Sequence, residues 1–175
     1  MSSFNDFAAI PVTGNSKLLK DLLRDELGFE GFFVSDYNSV VEMVPHGVAA
    51  DHKEAALKAM LARLDMEMVS GSYLNNGEAL VREGLVDEKL IDQMCRNILV
   101  AKYNLGLFDD PFRYGGAERF RKSIYKEEDL EFTRAVARES MVLLKNDNNI
   151  LPIADGKELA VIGAFAKTPR YQGSG

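Results

Sequence analysis

Segments with helical and strand-like patterns alternate along the chain, and this alternation limits the fold more than any other feature of the sequence. Leucines recur at helical spacing between residues 15 and 27, and Gly28 is a natural stop for that helix. The apolar run at residues 32–34 follows, as in a strand buried on both faces. Because parallel strands need long crossover connections, the sequence predicts an α/β fold with a parallel sheet.

The alternation continues downstream and then changes character. Apolar spacing predicts further elements, which are helices at 51–63, 78–83, 87–104 and 128–145 and strands at 64–69 and 158–164. Residues 108–126 combine a proline, a glycine pair and many charges without periodicity, which is typical of a linker. Neither half holds enough strands to complete a sheet, so we expect a piece cut across two domains.

Composition and charge exclude several classes of function. The chain has a net charge of −6 and no basic run, which argues against binding to nucleic acid or an anionic membrane. Cys95 is the single cysteine, so neither an intrachain disulfide nor a cysteine-based zinc site can form. With only His46 and His52 besides, we expect neither a metal nor a cofactor. No signal peptide is expected within this chain, and nothing in it indicates an oligomeric state.

A carboxylate stands where the most strongly apolar segment ends. Ser35, Asp36 and Tyr37 follow that run, and functional residues of parallel α/β folds collect at the carboxyl ends of strands. A carboxylate can attack or stabilise the anomeric carbon of a sugar, and an aromatic face stacks on the C–H groups of the ring. The same position also suits an aspartate that only caps the following turn. Both interpretations of Asp36 are open at this point.

Four stretches of sequence carry a recognisable pattern. They are MSSFND with PVTGN, then GFEGFFVSDYNSVVEM, then HGVAADHKEAALKAMLARLDMEM, and finally LLKNDNNILPI. Together, in this order, they resemble glycoside hydrolase family 3, and most of all its bacterial multi-domain β-glucosidases. The resemblance implies that residues 1–107 are the C-terminal part of a (β/α)8, TIM-barrel-like catalytic domain. It makes 108–126 a linker and 127–175 the first helix and strand of an α/β sandwich, and it implies a periplasmic or secreted whole protein.

The resemblance also assigns roles to individual residues. It implies a retaining exo-β-glycosidase, with β-glucosidase favoured, that hydrolyses β-linked oligosaccharides or glucosides. Asp36 matches the catalytic nucleophile, and Tyr37 matches the aromatic residue that lines the sugar site. Met1 and Phe4 match a strand end that contributes to the sugar pocket. Relatives often have tyrosine where Phe4 stands, and phenylalanine cannot donate the hydrogen bond that supports the nucleophile. No residue here matches the general acid/base, which we expect to lie outside this chain.

Departures from the family pattern leave a second interpretation open. Asn38 stands where the family usually has glycine, and Arg63 with Leu64 replaces a usual glycine–valine pair. Because the general acid and much of the barrel are unmatched, the alternative is a catalytically inactive truncated product or an interaction module. A single-domain N-acetylhexosaminidase of the same family is disfavoured, since that group lacks LLKNDNNILPI. Glu67 fits either the mouth of the pocket or a local cap.

Overall fold

The computed structural model describes residues 1–124 and 126–166, and the chain divides into two compact units, Met1–Arg119 and Phe120–Gly175. The boundary falls within the predicted linker. The elements that begin in the first unit are β1 (Asp6–Phe7), β2 (Ile10–Pro11), a 3₁₀ helix (Val12–Gly14), a π-helix (Lys17–Glu26), β3 (Val34–Tyr37), α1 (Ser39–Glu42), α2 (His52–Leu61), β4 (Met66–Met68), α3 (Ser72–Arg82), α4 (Glu88–Asn104) and α5 (Ala117–Ser123).

The first long helix begins and ends where the sequence predicts. The side-chain oxygen of Asn15 accepts the backbone N–H of Leu18 at 3.1 Å, which satisfies one of the free donors of the first turn. Gly28 follows the helix with φ +70°, a left-handed conformation that costs glycine little. The helix is wound as a π-helix, which apolar spacing alone does not distinguish from an α-helix.

The strand that carries the candidate carboxylate lies later than predicted. The apolar run favours residues 32–34, whereas β3 spans Val34–Tyr37. Pairing decides the boundary, because β4 runs parallel to β3 and its first residue, Met66, is in register with Val34. The ring of Phe33 stacks on that of Phe29 with centroids 4.6 Å apart, just before the paired segment begins. Ser35 and Asp36 therefore lie within the strand instead of following it.

Helix α2 is the centre of the first unit because it is buried on two sides. Ala55 and Ala59 belong to one apolar cluster, whereas Ala56 and Met60, one position further on, belong to the other. The first cluster joins α2 to the π-helix, to α1 and to the segments that lead into β3 and β4, and the second joins α2 to α3 and α4. The fully buried large side chains among them are Leu19, Val40, Met43, Met60, Leu64, Leu80 and Val86. Each such side chain contributes roughly 1.5–3 kcal/mol through burial, which holds the strand pair in place.

Helix α3 is longer than the sequence predicts. Its predicted range is 78–83, but it spans Ser72–Arg82. The carboxylate of Glu67 accepts the backbone N–H groups of Ser72 at 2.9 Å and Tyr73 at 2.7 Å, so the cap comes from β4 and not from an adjacent residue. Glu67 therefore takes the capping role that was one of its two interpretations.

The second unit departs most from the sequence prediction. Helix α6 spans Glu127–Glu139 and ends well before the predicted 145. Helix α5 lies inside the segment predicted as an irregular linker. The strand predicted at 158–164 is wrong for this structure: residues 158–162 are in no regular element, and Ile162 is 92% exposed. A strand needs a neighbour, and among the described residues of this unit there is none. The rest of the predicted 127–175 domain, residues 167–175, lies outside the described residues.

Candidate active site at the carboxyl end of the parallel strands

Asp36 is the last residue but one of β3, at the carboxyl end of the parallel pair. Its side chain is partly exposed, and its Oδ1 accepts the backbone N–H of Tyr37 at 2.7 Å. Tyr37 itself is 58% exposed. A carboxylate with one local hydrogen bond and access to solvent can meet a substrate, which a carboxylate buried against hydrocarbon could not do.

The N-terminal segment lies beside the same strand. The backbone N–H of Ser2 donates to the carbonyl of Val34 at 2.8 Å, which brings the segment carrying Met1 and Phe4 next to β3. Met1 is 74% exposed and Phe4 is 37% exposed. The backbone bond places this segment beside β3, and within the described part of the chain no ring contact joins Phe4 to Tyr37.

A chain of buried hydroxyl groups ties this segment to the turn after Asp36. Thr13 Oγ1 lies 3.0 Å from Ser2 Oγ and donates to Ser39 Oγ, also at 3.0 Å. Thr13 is fully buried, and Ser39 is the first residue of α1. Sequence reasoning missed these linked hydroxyl groups because the three residues are far apart in sequence and small hydroxyl residues are common in turns. Its effect is to fix the N-terminal segment against the residues that follow the candidate nucleophile.

A polar contact links the segment after α1 to the N-terminal hairpin, in which β1 pairs antiparallel with β2. His46 Nδ1 lies 3.3 Å from the carboxylate of Asp6, which joins the loop after α1 to the first strand of the N-terminal hairpin. Both side chains are partly exposed, so the pair is worth at most about 1 kcal/mol.

The opposite end of the strand pair holds a second aspartate in different surroundings. Asp65 precedes β4, and its side chain is 2% exposed. Its carboxylate accepts the backbone N–H of Phe33 at 2.6 Å and the side-chain amide of Asn97 at 2.8 Å, and it pairs with the guanidinium of Arg24. Burial raises the pKa of Asp65, while these three donors oppose the rise. Arg24 also donates to the carbonyl of Gly31 at 2.9 Å, so the cluster fixes the entry to both strands.

Sequence reasoning did not select Asp65 as a structural residue. The available signal was a charged residue immediately before an apolar strand, inside a segment otherwise typical of a core. Its partners come from the π-helix and from α4, and nothing in their spacing connects them to it. Arg63, two residues earlier, adopts φ +67°, the left-handed conformation expected of the glycine that the family pattern has there.

Metal ligands and membrane spans are not found in the described part of the chain. Residues 1–124 and 126–166 contain no group of three or more His, Cys, Asp or Glu side chains placed to hold a metal ion. None of their helices is both long and apolar enough to cross a bilayer.

Comparison with known proteins defines the class to which this fold and site belong. A sequence model described as the glycosyl hydrolase family 3 N-terminal domain matches residues 1–101, more than half of the chain. The chain therefore belongs to glycoside hydrolase family 3.

Individual relatives are similar over almost the whole chain. The periplasmic beta-glucosidase of Salmonella typhimurium is 37% identical over 97% of the chain and 23% of its own length. A beta-xylosidase of Formosa agariphila is 39% identical over 97% of the chain and 25% of its own length. The crystal structure of beta-glucosidase from Listeria innocua superposes with a TM-score of 0.73 and 39% identity, covering 87% of the chain and 21% of that enzyme. The chain thus spans about a quarter of the length of the relatives it matches.

Proposed function

We propose that the chain carries the nucleophile of a retaining exo-β-glycosidase, and that this nucleophile is Asp36. The observation that carries the proposal is the position of Asp36, a partly exposed carboxylate at the carboxyl end of a parallel strand in a family of glycosidases. Two other carboxylates of this strand pair have structural tasks. Asp65 is buried among three donors, and Glu67 caps α3.

The chemistry follows from a carboxylate of this kind. One oxygen of Asp36 attacks the anomeric carbon and forms an ester bond, while the bond from that carbon to the leaving oxygen breaks. A general acid about 5 Å from the nucleophile gives its proton to the leaving oxygen. The same group then takes a proton from water, which attacks the anomeric carbon and releases the sugar and the free Asp36 carboxylate. Two inversions give overall retention of configuration.

The substrate we propose is a β-linked glucoside or oligosaccharide. The names of two relatives support it, since they are a beta-glucosidase and a beta-xylosidase. The Listeria innocua enzyme has also been solved with glucose and, as a mutant, with laminaribiose. In this chain the exposed ring of Tyr37 supplies a face for the C–H groups of a sugar, and Met1 and Phe4 contribute to the wall of the pocket.

The proposed domain arrangement places this site at one end of a larger barrel. Residues 1–107 form the last part of a TIM-barrel-like catalytic domain, 108–126 link it to a second domain, and 127–175 begin an α/β sandwich. Residues of the whole protein outside this chain supply the general acid, so we expect residues 1–175 alone to give no turnover of nitrophenyl β-glucoside. The periplasmic address of the Salmonella relative supports export of the whole protein.

The test is removal of the Asp36 carboxylate from the whole protein. Asp36→Ala should lower kcat by about 10⁴-fold or more, as loss of a catalytic nucleophile does. Azide should restore part of the rate with an activated aryl glucoside, because it occupies the vacated space and attacks the anomeric carbon. Asp92→Ala, at an exposed aspartate of α4, is the matched control and should keep full activity. Retained turnover in Asp36→Ala would show that another residue is the nucleophile.

A further inference from the structure

The pairing between β3 and β4 is irregular at the residue before the candidate nucleophile. Val34 is in register with Met66 and Tyr37 with Met68, so three steps along β3 match two along β4. In a regular parallel ladder that starts at Met66, the N–H of residue 68 would donate to the carbonyl of residue 35. The extra residue is a β-bulge, a feature that re-aims side chains next to active sites.

The hydroxyl of Ser35 takes the place of that carbonyl. Ser35 Oγ accepts the backbone N–H of Met68 at 2.7 Å and donates to the carbonyl of Asp36 at 2.8 Å. The ladder resumes one residue late, where the N–H of Asn38 donates to the carbonyl of Met68 at 3.1 Å. Ser35 is fully buried, so water does not compete for either bond. Both hydrogen-bonding capacities of one hydroxyl are therefore used to hold the bulge.

We propose that Ser35 is a positioning residue for the nucleophile: its hydroxyl builds the bulge that sets the backbone of Asp36. This inference rests on the proposed role of Asp36. Without the hydroxyl, Met68 N–H loses its acceptor, and the bulge is no longer held against a shift toward the regular ladder. Because side chains in a strand alternate between faces, a shift of one position changes the direction of the Asp36 carboxylate. Ser35 touches no substrate and acts only through Asp36.

The chain offers a matched control for removal of the hydroxyl. Ser72 is also buried, and its Oγ has no hydrogen-bond partner among the residues that the structure describes. Ser35→Ala and Ser72→Ala make the same chemical change, but only the first breaks hydrogen bonds. Ser35→Thr keeps the hydroxyl and tests rescue.

The experiment measures steady-state hydrolysis by the whole protein, together with exchange of the Met68 amide hydrogen in the 175-residue chain. Ser35→Ala should lower kcat by roughly 10–100-fold with KM changed much less, because the substrate still binds while the attacking oxygen is misplaced. Ser35→Thr should stay within about threefold of the wild type, and Ser72→Ala should match it. The Met68 amide should exchange faster only in Ser35→Ala. If Ser35→Ala does not fold, Ser35→Cys makes the same comparison with a weak hydrogen-bonding group of similar size.

The outcomes separate this inference from the proposed function. If the Asp36→Ala variant keeps its turnover, both the proposed function and this inference are overturned. Loss of turnover in Asp36→Ala, with equal kcat in Ser35→Ala and Ser72→Ala, leaves the function in place and overturns the role of Ser35. An increase in KM alone, with kcat unchanged, would also overturn it, since it would mean that Ser35 shapes binding and not the reaction.

Discussion

The two ends of the β3–β4 pair each carry an aspartate, and the two aspartates have opposite surroundings. Asp65, at the amino end, is 2% exposed in its side chain and accepts hydrogen bonds from Arg24, Phe33 and Asn97. Asp36, at the carboxyl end, is partly exposed and accepts one hydrogen bond from its neighbour Tyr37. A carboxylate whose lone pairs are occupied by the protein stabilises the fold, whereas one that keeps them free can react.

We expect substitution of the two aspartates to change the stability of the chain by different amounts. Asp65→Ala should lower the free energy of unfolding of the chain by about 3–5 kcal/mol, because it leaves the buried Arg24 without its partner. Asp36→Ala should change that free energy by no more than about 0.5 kcal/mol. Urea denaturation of both variants measures the difference. Equal destabilisation by the two substitutions would show that Asp65 is no more important for the fold than Asp36.

A double substitution tests whether the charges of Asp65 and Arg24 interact. Asp65→Leu combined with Arg24→Met removes both charges and should be less destabilising than either change alone, since neither partner is left buried and unpaired. If the two effects simply add, the pair does not interact as its geometry indicates.

The carboxyl end also depends on buried polar groups, through Thr13 and its two serine neighbours. Thr13→Val keeps the shape of the side chain but leaves Ser2 and Ser39 without the shared hydroxyl, and should cost about 1–3 kcal/mol. Thr13→Ser, which keeps the hydroxyl, is the control and should cost less. Thermal unfolding compares the two, and identical melting temperatures would show that the hydroxyl chain contributes nothing.

At the amino end, the backbone of Arg63 provides a smaller test. Its φ of +67° is unfavourable for any residue with a Cβ atom, by about 1–2 kcal/mol. Glycine avoids that steric cost, but it loses more backbone entropy on folding, which offsets part of the gain. Arg63→Gly should therefore be more stable than Arg63→Ala by up to about 1 kcal/mol. Both variants remove the side chain, so their difference in denaturation midpoint isolates the backbone conformation.

The pKa of Glu54 is shifted in the direction opposite to that of Asp65, and its effect on stability is the smallest that we expect. Lys58 and then the backbone N–H of Ala50 hydrogen-bond to its exposed carboxylate and lower its pKa below 4.5. Its contribution to stability is present above pH 4.5 and is lost as pH falls through the lowered value. The pKa of Asp65 is raised above 3.8 by burial, so ionisation of this carboxyl costs stability. The part of its contribution that depends on pH is complete below pH 3.8 and is lost as pH rises through the raised value. Carboxyl chemical-shift titration should place the two midpoints on opposite sides of these values.

How much the sequence predicted depends on whether a feature is local. The π-helix, α2 and α4 follow from apolar spacing, and their ends follow from Asn15, Gly28 and Asp87, which act on their own neighbours. The start of α3 could not be predicted in this way, because Glu67 caps it from a different element. The strand at 158–164 failed for the same reason, since a strand forms only where another strand is available to pair with it.

The candidate site shows the same division. Asp36 and Tyr37 could be selected from the sequence, because an acidic and an aromatic residue after an apolar run are visible in one short stretch. The bulge at Ser35 and the partners of Asp65 could not, because each depends on contacts between residues about 30 positions or more apart, such as Ser35 with Met68. The sequence therefore selects the candidate nucleophile, and the structure shows which contacts hold the strand that carries it.

The most direct test of the central claim is covalent trapping of the nucleophile. The whole protein is treated with a 2-deoxy-2-fluoroglucosyl fluoride, which forms the glycosyl ester quickly and releases it slowly, and the tryptic peptides are weighed. The label should lie on the peptide spanning residues 25–53, and fragment ions should assign it to Asp36. A label on any other carboxylate would show that Asp36 is not the nucleophile.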